Sequence, residues 1–202
     1  MEAALTAARA GADILGFVFA PSRRRVEAAA VREIHREIRR QGFRIKTAGV
    51  FVNPDREELL RIAEDCSLDY LQLHGEESPD FCQSLGRPVI KAFRVAGPET
   101  LAAAAAYSTD WLLLDTYSAG SYGGTGESFD WRILQEKREP FPRPFLLAGG
   151  LTPDNVAAAI QTAKPAGVDI SGGVETAGKK DPEKIIAFIR AAKAAAEGLL
   201  NA

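Results

Sequence analysis

Two pairs of adjacent glycines, Gly149-Gly150 and Gly172-Gly173, carry the pattern most specific for chemistry in this chain. Each pair directly follows a short apolar run, 145–148 in one case and 168–171 in the other. Glycines placed there let backbone N–H groups close on an anion, and the helical turn that follows adds the positive end of its dipole. A phosphate is the ligand such turns predict; tight strand-to-helix turns with no ligand are the competing role. A carboxylate, Asp115, follows Trp111-Leu112-Leu113-Leu114 and so stands at the mouth of a buried strand. Loss of water there favours the protonated form that a general acid needs; a helix cap or a structural hydrogen-bond acceptor is the alternative. The stretch Gly120-Ser121-Tyr122-Gly123-Gly124-Thr125-Gly126 comes directly after it and reads as an active-site lid, or as a flexible connection. Arg23, Arg24 and Arg25 offer a guanidinium for a two-pronged grip on a carboxylate, with at least one of the three left as a solvated surface charge. His74 can act as an acid or base, although a histidine at a strand end is more often a hydrogen-bonded structural residue. His35 lies beside the apolar stripe of its helix and reads as a surface residue.

These residues need a scaffold that brings strand ends together. Nearly continuous apolar runs at 14–19, 47–52, 70–74, 89–95, 111–116, 145–148 and 168–171 predict seven strands buried on both faces, as in a parallel sheet. Between them lie helical stripes: Val31, Ile34 and Ile38; Leu59, Leu60 and Ala63; and Ile185, Ile186, Ile189 and Ala192, opposite the wet Lys184, Arg190 and Lys193. Ser78-Pro79-Asp80, Thr152-Pro153-Asp154 and Asp181-Pro182-Glu183 each pair a capping residue with proline at the first helical position. Unbroken alternation of strand and helix means right-handed crossovers and either an open doubly wound sheet or a closed (βα)8 TIM barrel. No G-x-G-x-x-G follows the first strand, and a repeat sustained to the C-terminus favours the barrel, an α/β fold. The chain opens on a helix with no strand before it. Residues 1–202 show no linker or composition break and read as a single (βα) barrel domain.

The 202 residues hold 25 basic and 27 acidic side chains, a net charge of −2, with no basic stripe of the kind a nucleic acid needs. No apolar run approaches the roughly 18 residues that span a bilayer, and the N-terminus lacks the basic region of a secretory signal. Cys66 and Cys82 stand without metal-ligand spacing and read as two reduced thiols, which points to the cytoplasm.

Taken together, several stretches resemble the phosphoribosylanthranilate isomerases of tryptophan biosynthesis: Gly11-Ala12-Asp13 with Gly16-Phe17-Val18-Phe19, Ser22 through Arg25, and Gly49-Val50-Phe51-Val52-Asn53. Leu71-Gln72-Leu73-His74-Gly75-Glu76, Leu114-Asp115-Thr116, Gly123-Gly124-Thr125-Gly126 and Phe129-Asp130-Trp131 continue the match. Ala148-Gly149-Gly150-Leu151, Asn155-Val156 and Val168 through Glu175 complete it. The resemblance implies an Amadori rearrangement of N-(5-phosphoribosyl)anthranilate without any cofactor or metal. It implies Asp115 as general acid on the ribose ring oxygen, Arg25 on the anthranilate carboxylate, and His74 against the substrate. Gly124, Gly149, Gly150, Gly172 and Gly173 are implied on the phosphate. The implied partner is a phosphorylated small molecule, with no nucleic acid or membrane, and the protein is expected as a monomer or homodimer.

The family's general base is a cysteine in a Lys-Ile/Val-Cys-Gly run at the end of its first strand, and this chain has no match to it. The expected fold is therefore the (βα)8 barrel with strand 1 missing, and the natural start is expected upstream of Met1; the chain as given is then expected to be impaired. Two other readings remain. A barrel such as indole-glycerol-phosphate synthase wants catalytic lysines at strand ends, and Lys91 lies inside a strand run. A non-catalytic barrel that binds a phosphorylated ligand fits the missing base.

Overall fold

All seven expected strands form, and each lies beside the next in the sequence. The computed structural model describes residues 1–116, 131–134 and 144–200. The elements run α1 (Glu2–Ala10), β1 (Ile14–Val18), α2 (Ala28–Arg40), β2 (Lys46–Phe51), α3 (Arg56–Asp65), β3 (Tyr70–Leu73) and α4 (Pro79–Ser84). They continue β4 (Val89–Val95), α5 (Pro98–Ala104), β5 (Trp111–Thr116), β6 (Phe145–Leu147), α6 (Val156–Ala163) and β7 (Gly167–Val168). A small hairpin, β8 (Glu175–Thr176) and β9 (Lys179–Lys180), precedes the long α7 (Pro182–Leu200). The sheet order is β1-β2-β3-β4-β5-β6-β7 with every pair parallel. A doubly wound sheet reverses its order at a switch point; this one never does. It is wound in one direction, as a barrel is.

Alternation along the strands sorts the side chains into an inner and an outer layer. Ala48, Ile90, Ala92, Leu113 and Ala148 form one buried cluster, with Ile14, Tyr70, Trp111 and Leu146 packed against it. Three of the five buried members are alanines, and larger side chains fill the space around them. The alternate residues face the helices: Phe51, Leu71 and Leu73 pack with Val31, Leu59 and Ala63. Complete burial of a leucine such as Leu73 stabilises the fold by about 1.5–3 kcal/mol, so this outer layer holds the helices on the sheet. At the far side Ala3 and Ala7 of α1 pack into the cluster of Ile185, Phe188 and Ala195 from α7.

Three local features differ from expectation. The helix expected from Thr152 starts a turn later, at Val156, because the Asn155 side chain accepts from the Thr152 backbone N–H (2.8 Å) and holds residues 152–155 in a turn. Strand β7 stops at Val168 rather than 171, since Gly172–Val174 already winds into a short 3₁₀ turn. The β8–β9 hairpin was not foreseen; its turn places Ala177 and Gly178 at φ 50 and 76. The caps at Ser78 and Asp181 form as expected, Ser78 accepting from the Phe81 N–H and Asp181 from the Glu183 and Lys184 N–H groups. No helix among the described residues is long and apolar enough to cross a membrane.

Candidate active site

Strand parity turns three side chains inward at the C-terminal ends of alternate strands: His74 just past β3, Asp115 within β5, and Asp169 just past β7. Asp115 is 5% exposed. Its Oδ1 accepts from the Thr116 backbone N–H at 2.7 Å, and its Oδ2 lies 3.3 Å from His74 Nε2. His74 Nε2 is buried with no aligned hydrogen-bond partner among the described residues, and Asp115 Oδ2 is the carboxylate oxygen it faces. Asp169 was not singled out from the sequence. Its signal was parity: Val168 and Ile170 pack outward with the helices, which turns the residue between them into the mouth. Burial pushes the Asp169 carboxyl well above the usual carboxylate range, and the neighbouring Asp115 charge pushes it further, against weaker pulls from His74 and Lys180. Asp169 is thus suited to keep its proton and donate a hydrogen bond.

A cavity of about 280 Å³ connects these carboxyls to the glycine turns, with Asp115, Asp169, Gly149, Gly150, Gly172 and Gly173 in its wall. Gly149 and Gly150 both take positive φ, 87 and 62, which only glycine adopts without strain. A Cβ on Gly149 would strike the Thr116 backbone N and come within 2.7 Å of Asp115 Oδ1. A Cβ on Gly173 would collide with the Leu151 carbonyl oxygen, so the two glycine turns press on each other. Asn155 braces the first turn by donating from Nδ2 to the Gly150 carbonyl at 2.9 Å. The sequence-predicted phosphate residues therefore converge, except Gly124, which lies with the stretch 120–126 outside the described residues.

The arginine run sits across the mouth, in an order the sequence did not foresee. Arg23 lines the cavity and donates to Glu175 Oε2 at 2.9 Å. Arg24 is largely buried and grips the same carboxylate twice, from Nε to Oε1 (2.6 Å) and from Nη2 to Oε2 (3.0 Å). Burial alone would raise the Glu175 carboxyl, but the hydrogen bonds from Arg24 and Lys180 outweigh it and hold it at about 2. Arg25, the residue expected to hold a substrate carboxylate, is about half exposed, has Glu27 at 3.9 Å, and is not in the cavity wall. The chain turns at 22–25, with the Arg25 N–H donating to the Ser22 carbonyl, and this carries the third arginine away from the mouth.

Other candidates lie elsewhere. Cys66 and Cys82 are buried free thiols in the outer layer, and burial pushes both up, so neither offers a ready thiolate. His35 stands edge-on to Phe17 on the helix side. Lys91 points outward toward α4 and Tyr107, away from the mouth, so the lysine that a synthase-type barrel needs is not at this site. No cluster of three His, Cys, Asp or Glu side chains suited to a metal occurs among the described residues.

A singly wound parallel α/β fold, with paired glycine turns beside two carboxyls at the C-terminal strand ends, places the chain in the barrel class. A profile of the family described as N-(5'phosphoribosyl)anthranilate (PRA) isomerase matches residues 1–191. The N-(5'-phosphoribosyl)anthranilate isomerase of Desulforudis audaxviator is 50% identical over 197 residues, covering 96% of this chain and 94% of that protein. Phosphoribosyl anthranilate isomerase from Thermotoga maritima has a similar structure, with a TM-score of 0.86 and 39% identity over 96% of this chain and 94% of that one. A structure of the same enzyme in complex with reduced 1-(o-carboxyphenylamino)-1-deoxyribulose 5-phosphate gives 0.83 and 38%, over 96% of this chain and 93% of that one. This chain belongs to the N-(5'-phosphoribosyl)anthranilate isomerase family, and its fold is barrel-like.

Proposed function

We propose that the cavity performs the Amadori rearrangement of tryptophan biosynthesis, converting N-(5-phosphoribosyl)anthranilate to 1-(2-carboxyphenylamino)-1-deoxyribulose 5-phosphate. The observation that carries this reading is the buried Asp115 carboxyl, set within one cavity against the paired glycine turns, in a chain of this family. Asp115 gives a proton to the ribose ring oxygen, the ring C–O bond breaks, and an iminium forms at C1. Removal of the C2 proton then gives an enolamine, which takes a proton at C1 while its C2 hydroxyl releases one, leaving the ketone. C1 is reduced and C2 oxidised within one molecule, so the step needs no external redox partner. The phosphate takes the turns at Gly149-Gly150 and Gly172-Gly173, and Gly124 is assigned there by resemblance. Asp169, holding its proton, is suited to bind a sugar hydroxyl, and His74 Nε2 stands 3.3 Å from Asp115 Oδ2. The anthranilate carboxylate is assigned to the arginine run: Arg25 by resemblance, with Arg23 the guanidinium nearest the cavity.

By resemblance to the family the general base is assigned to a cysteine, on an eighth strand that would sit between β1 and β7 and complete the barrel. This is supported by the outer edges of β1 and β7, which pair with no strand among the described residues, while α1 packs against α7 across the same boundary. The competing reading, a barrel that only binds a phosphorylated ligand, is favoured by the same open edges. An isomerase assay on the chain as given, and on the chain extended upstream by a Lys-Ile-Cys-Gly strand, separates them. Turnover in the extended chain, lowered by about 10²–10⁴-fold in kcat by Asp115→Asn, supports the isomerase. Turnover in neither form, with binding of a ribose phosphate retained, supports the binding protein.

A further inference from the structure

On the outer side of the sheet, directly behind His74, lies an ion pair that the reaction does not touch. Lys91 is 2% exposed, and its Nζ donates to Glu77 Oε2 (2.9 Å) and to the carbonyls of Gly75 (2.7 Å), Leu73 (3.3 Å) and Ala92 (3.2 Å). Glu77 in turn accepts from the Asn53 N–H at 2.8 Å and from the Gly75 N–H at 3.1 and 3.0 Å. Asn53, at φ 45, accepts through Oδ1 from the Glu76 N–H at 2.7 Å. A Cβ on Gly75 would run into Asn53. Tyr107 closes the network from the far side, its hydroxyl donating to the Glu77 carbonyl at 3.0 Å. The ends of β2, β3 and β4 are thereby tied to one buried charge pair, and the residue they enclose, between Leu73 and Gly75, is His74.

Burying two charges is a poor way to gain stability, because their desolvation offsets most of their attraction. Such a pair does fix geometry: the ammonium is surrounded by acceptors and the carboxylate by donors, so neither shifts without leaving a buried group unpaired. Here the geometry so fixed is the backbone on both sides of a histidine whose Nε2 is 3.3 Å from Asp115. We propose that Glu77 and Lys91 are positioning residues for the isomerase site, clamping the β3–α4 turn so that His74 is held against Asp115. The assignment rests on the reading of Asp115 and His74 as parts of the working site, and it adds two residues that never meet the substrate. Lys91 reaches toward α4 from a mid-strand position, so its part is played through the backbone carbonyls it collects.

The test reads the His74–Asp115 coupling directly. The chain has two histidines, so ¹⁵N labelling at histidine gives resonances for His74 and for His35, the internal control. The change in the His74 ring ¹⁵N shift caused by Asp115→Asn is measured in the intact protein, in Glu77→Gln, and in the Glu77→Gln, Lys91→Met pair. Glu77→Gln keeps one oxygen to accept from Asn53 and Gly75, and the double variant, which leaves no lone buried charge, is the comparison that does not depend on the fold tolerating an unpaired Lys91. The expected result is a clear His74 shift in the intact protein, smaller in Glu77→Gln and reduced by about twofold or more in the pair, with His35 unmoved. A purely structural role would lower thermal stability and leave the coupling intact. A coupling as large in both variants as in the intact protein overturns the proposal, and so does a His74 resonance that Asp115→Asn never moves. The resonance needs no turnover, so loss of the isomerase reading, seen as absent activity in the strand-extended chain, is distinguished from loss of the clamp. Where that chain turns over, the pair is expected to lower kcat about tenfold with KM changed less than about twofold.

Discussion

Asp115 and Asp169 share one cavity wall, yet their surroundings differ. Asp115 has a backbone N–H on one oxygen and the His74 ring near the other. Asp169 is pushed up by burial first and by the Asp115 charge second. Two carboxyls in one low-dielectric space do not both ionise readily, and Asp169 is the one held toward its protonated form. The difference has a stability consequence with a definite sign. An acid raised in the folded state holds its proton there after the unfolded chain has lost it, so the unfolded state gains as pH rises. Near pH 4, around the ordinary value of 3.8, the penalty is small; it grows from there upward until the folded carboxyl itself ionises. Asp169→Asn removes it. The variant is expected to melt above the parent at pH 7 to 8 and with it near pH 4, by calorimetry across that range. A melting difference that is flat with pH, or that runs the other way, would show that Asp169 is not held protonated by the fold. Stability gained this way costs function wherever the acid is used.

At the level of turns and strands, the site depends on close backbone approach between two loops far apart in sequence. Gly173 faces the Leu151 carbonyl with no room for a methyl group, while Gly149 presses on Thr116 beside Asp115. Gly173→Ala must therefore push the two turns apart, at a cost of about 1–3 kcal/mol by the measure of overpacked sites. The expected phenotype is a melting point lower by several degrees together with weaker binding of ribose 5-phosphate, measured by calorimetric titration. Unchanged affinity would take the phosphate away from these turns. Both glycine pairs were legible in the sequence because a turn that needs glycine leaves an adjacent pair after an apolar run. The seven strands were legible for a similar reason: burial on both faces writes a continuous apolar run. What escaped depends on direction rather than composition. Lys91 sits in an apolar run and its outward aim follows only from strand parity once neighbours are known. The three arginines are chemically alike, and only the 22–25 turn puts Arg23 at the cavity and Arg25 outside it. Asn155, reading as an ordinary loop residue, delays α6 by one turn through its side-chain bonds.

For the molecule as a whole, the decisive feature is the boundary between β1 and β7. Six strand pairs form in sequence order, and α1 and α7 pack together outside, so among the described residues the helical layer is continuous where the sheet is not. A parallel strand with an unpaired edge exposes alternate N–H and C=O groups, and proteins normally cover or blunt such an edge. On β1 the alternation can be assigned. The Asp13 carbonyl accepts from the Lys46 N–H and the Phe19 N–H donates to the Val50 carbonyl, so odd-numbered residues here bond to β2. The amides of Ile14 and Gly16 then point to the open side, and Gly16 is correspondingly exposed. In native-state hydrogen exchange, Leu15 and Phe17 should be protected while Ile14 and Gly16 exchange near the rate of an unstructured amide. If an eighth strand belongs between β1 and β7, the chain extended upstream by that strand should gain protection at Gly16 by about tenfold or more, and the gain should be absent from β4, whose neighbours are already in place. Equal protection of Gly16 with and without the extension would mean that the added strand does not seat there, and the assignment of the catalytic base to that position would fall with it. A gain confined to the open side of β1 would place the added strand on that edge.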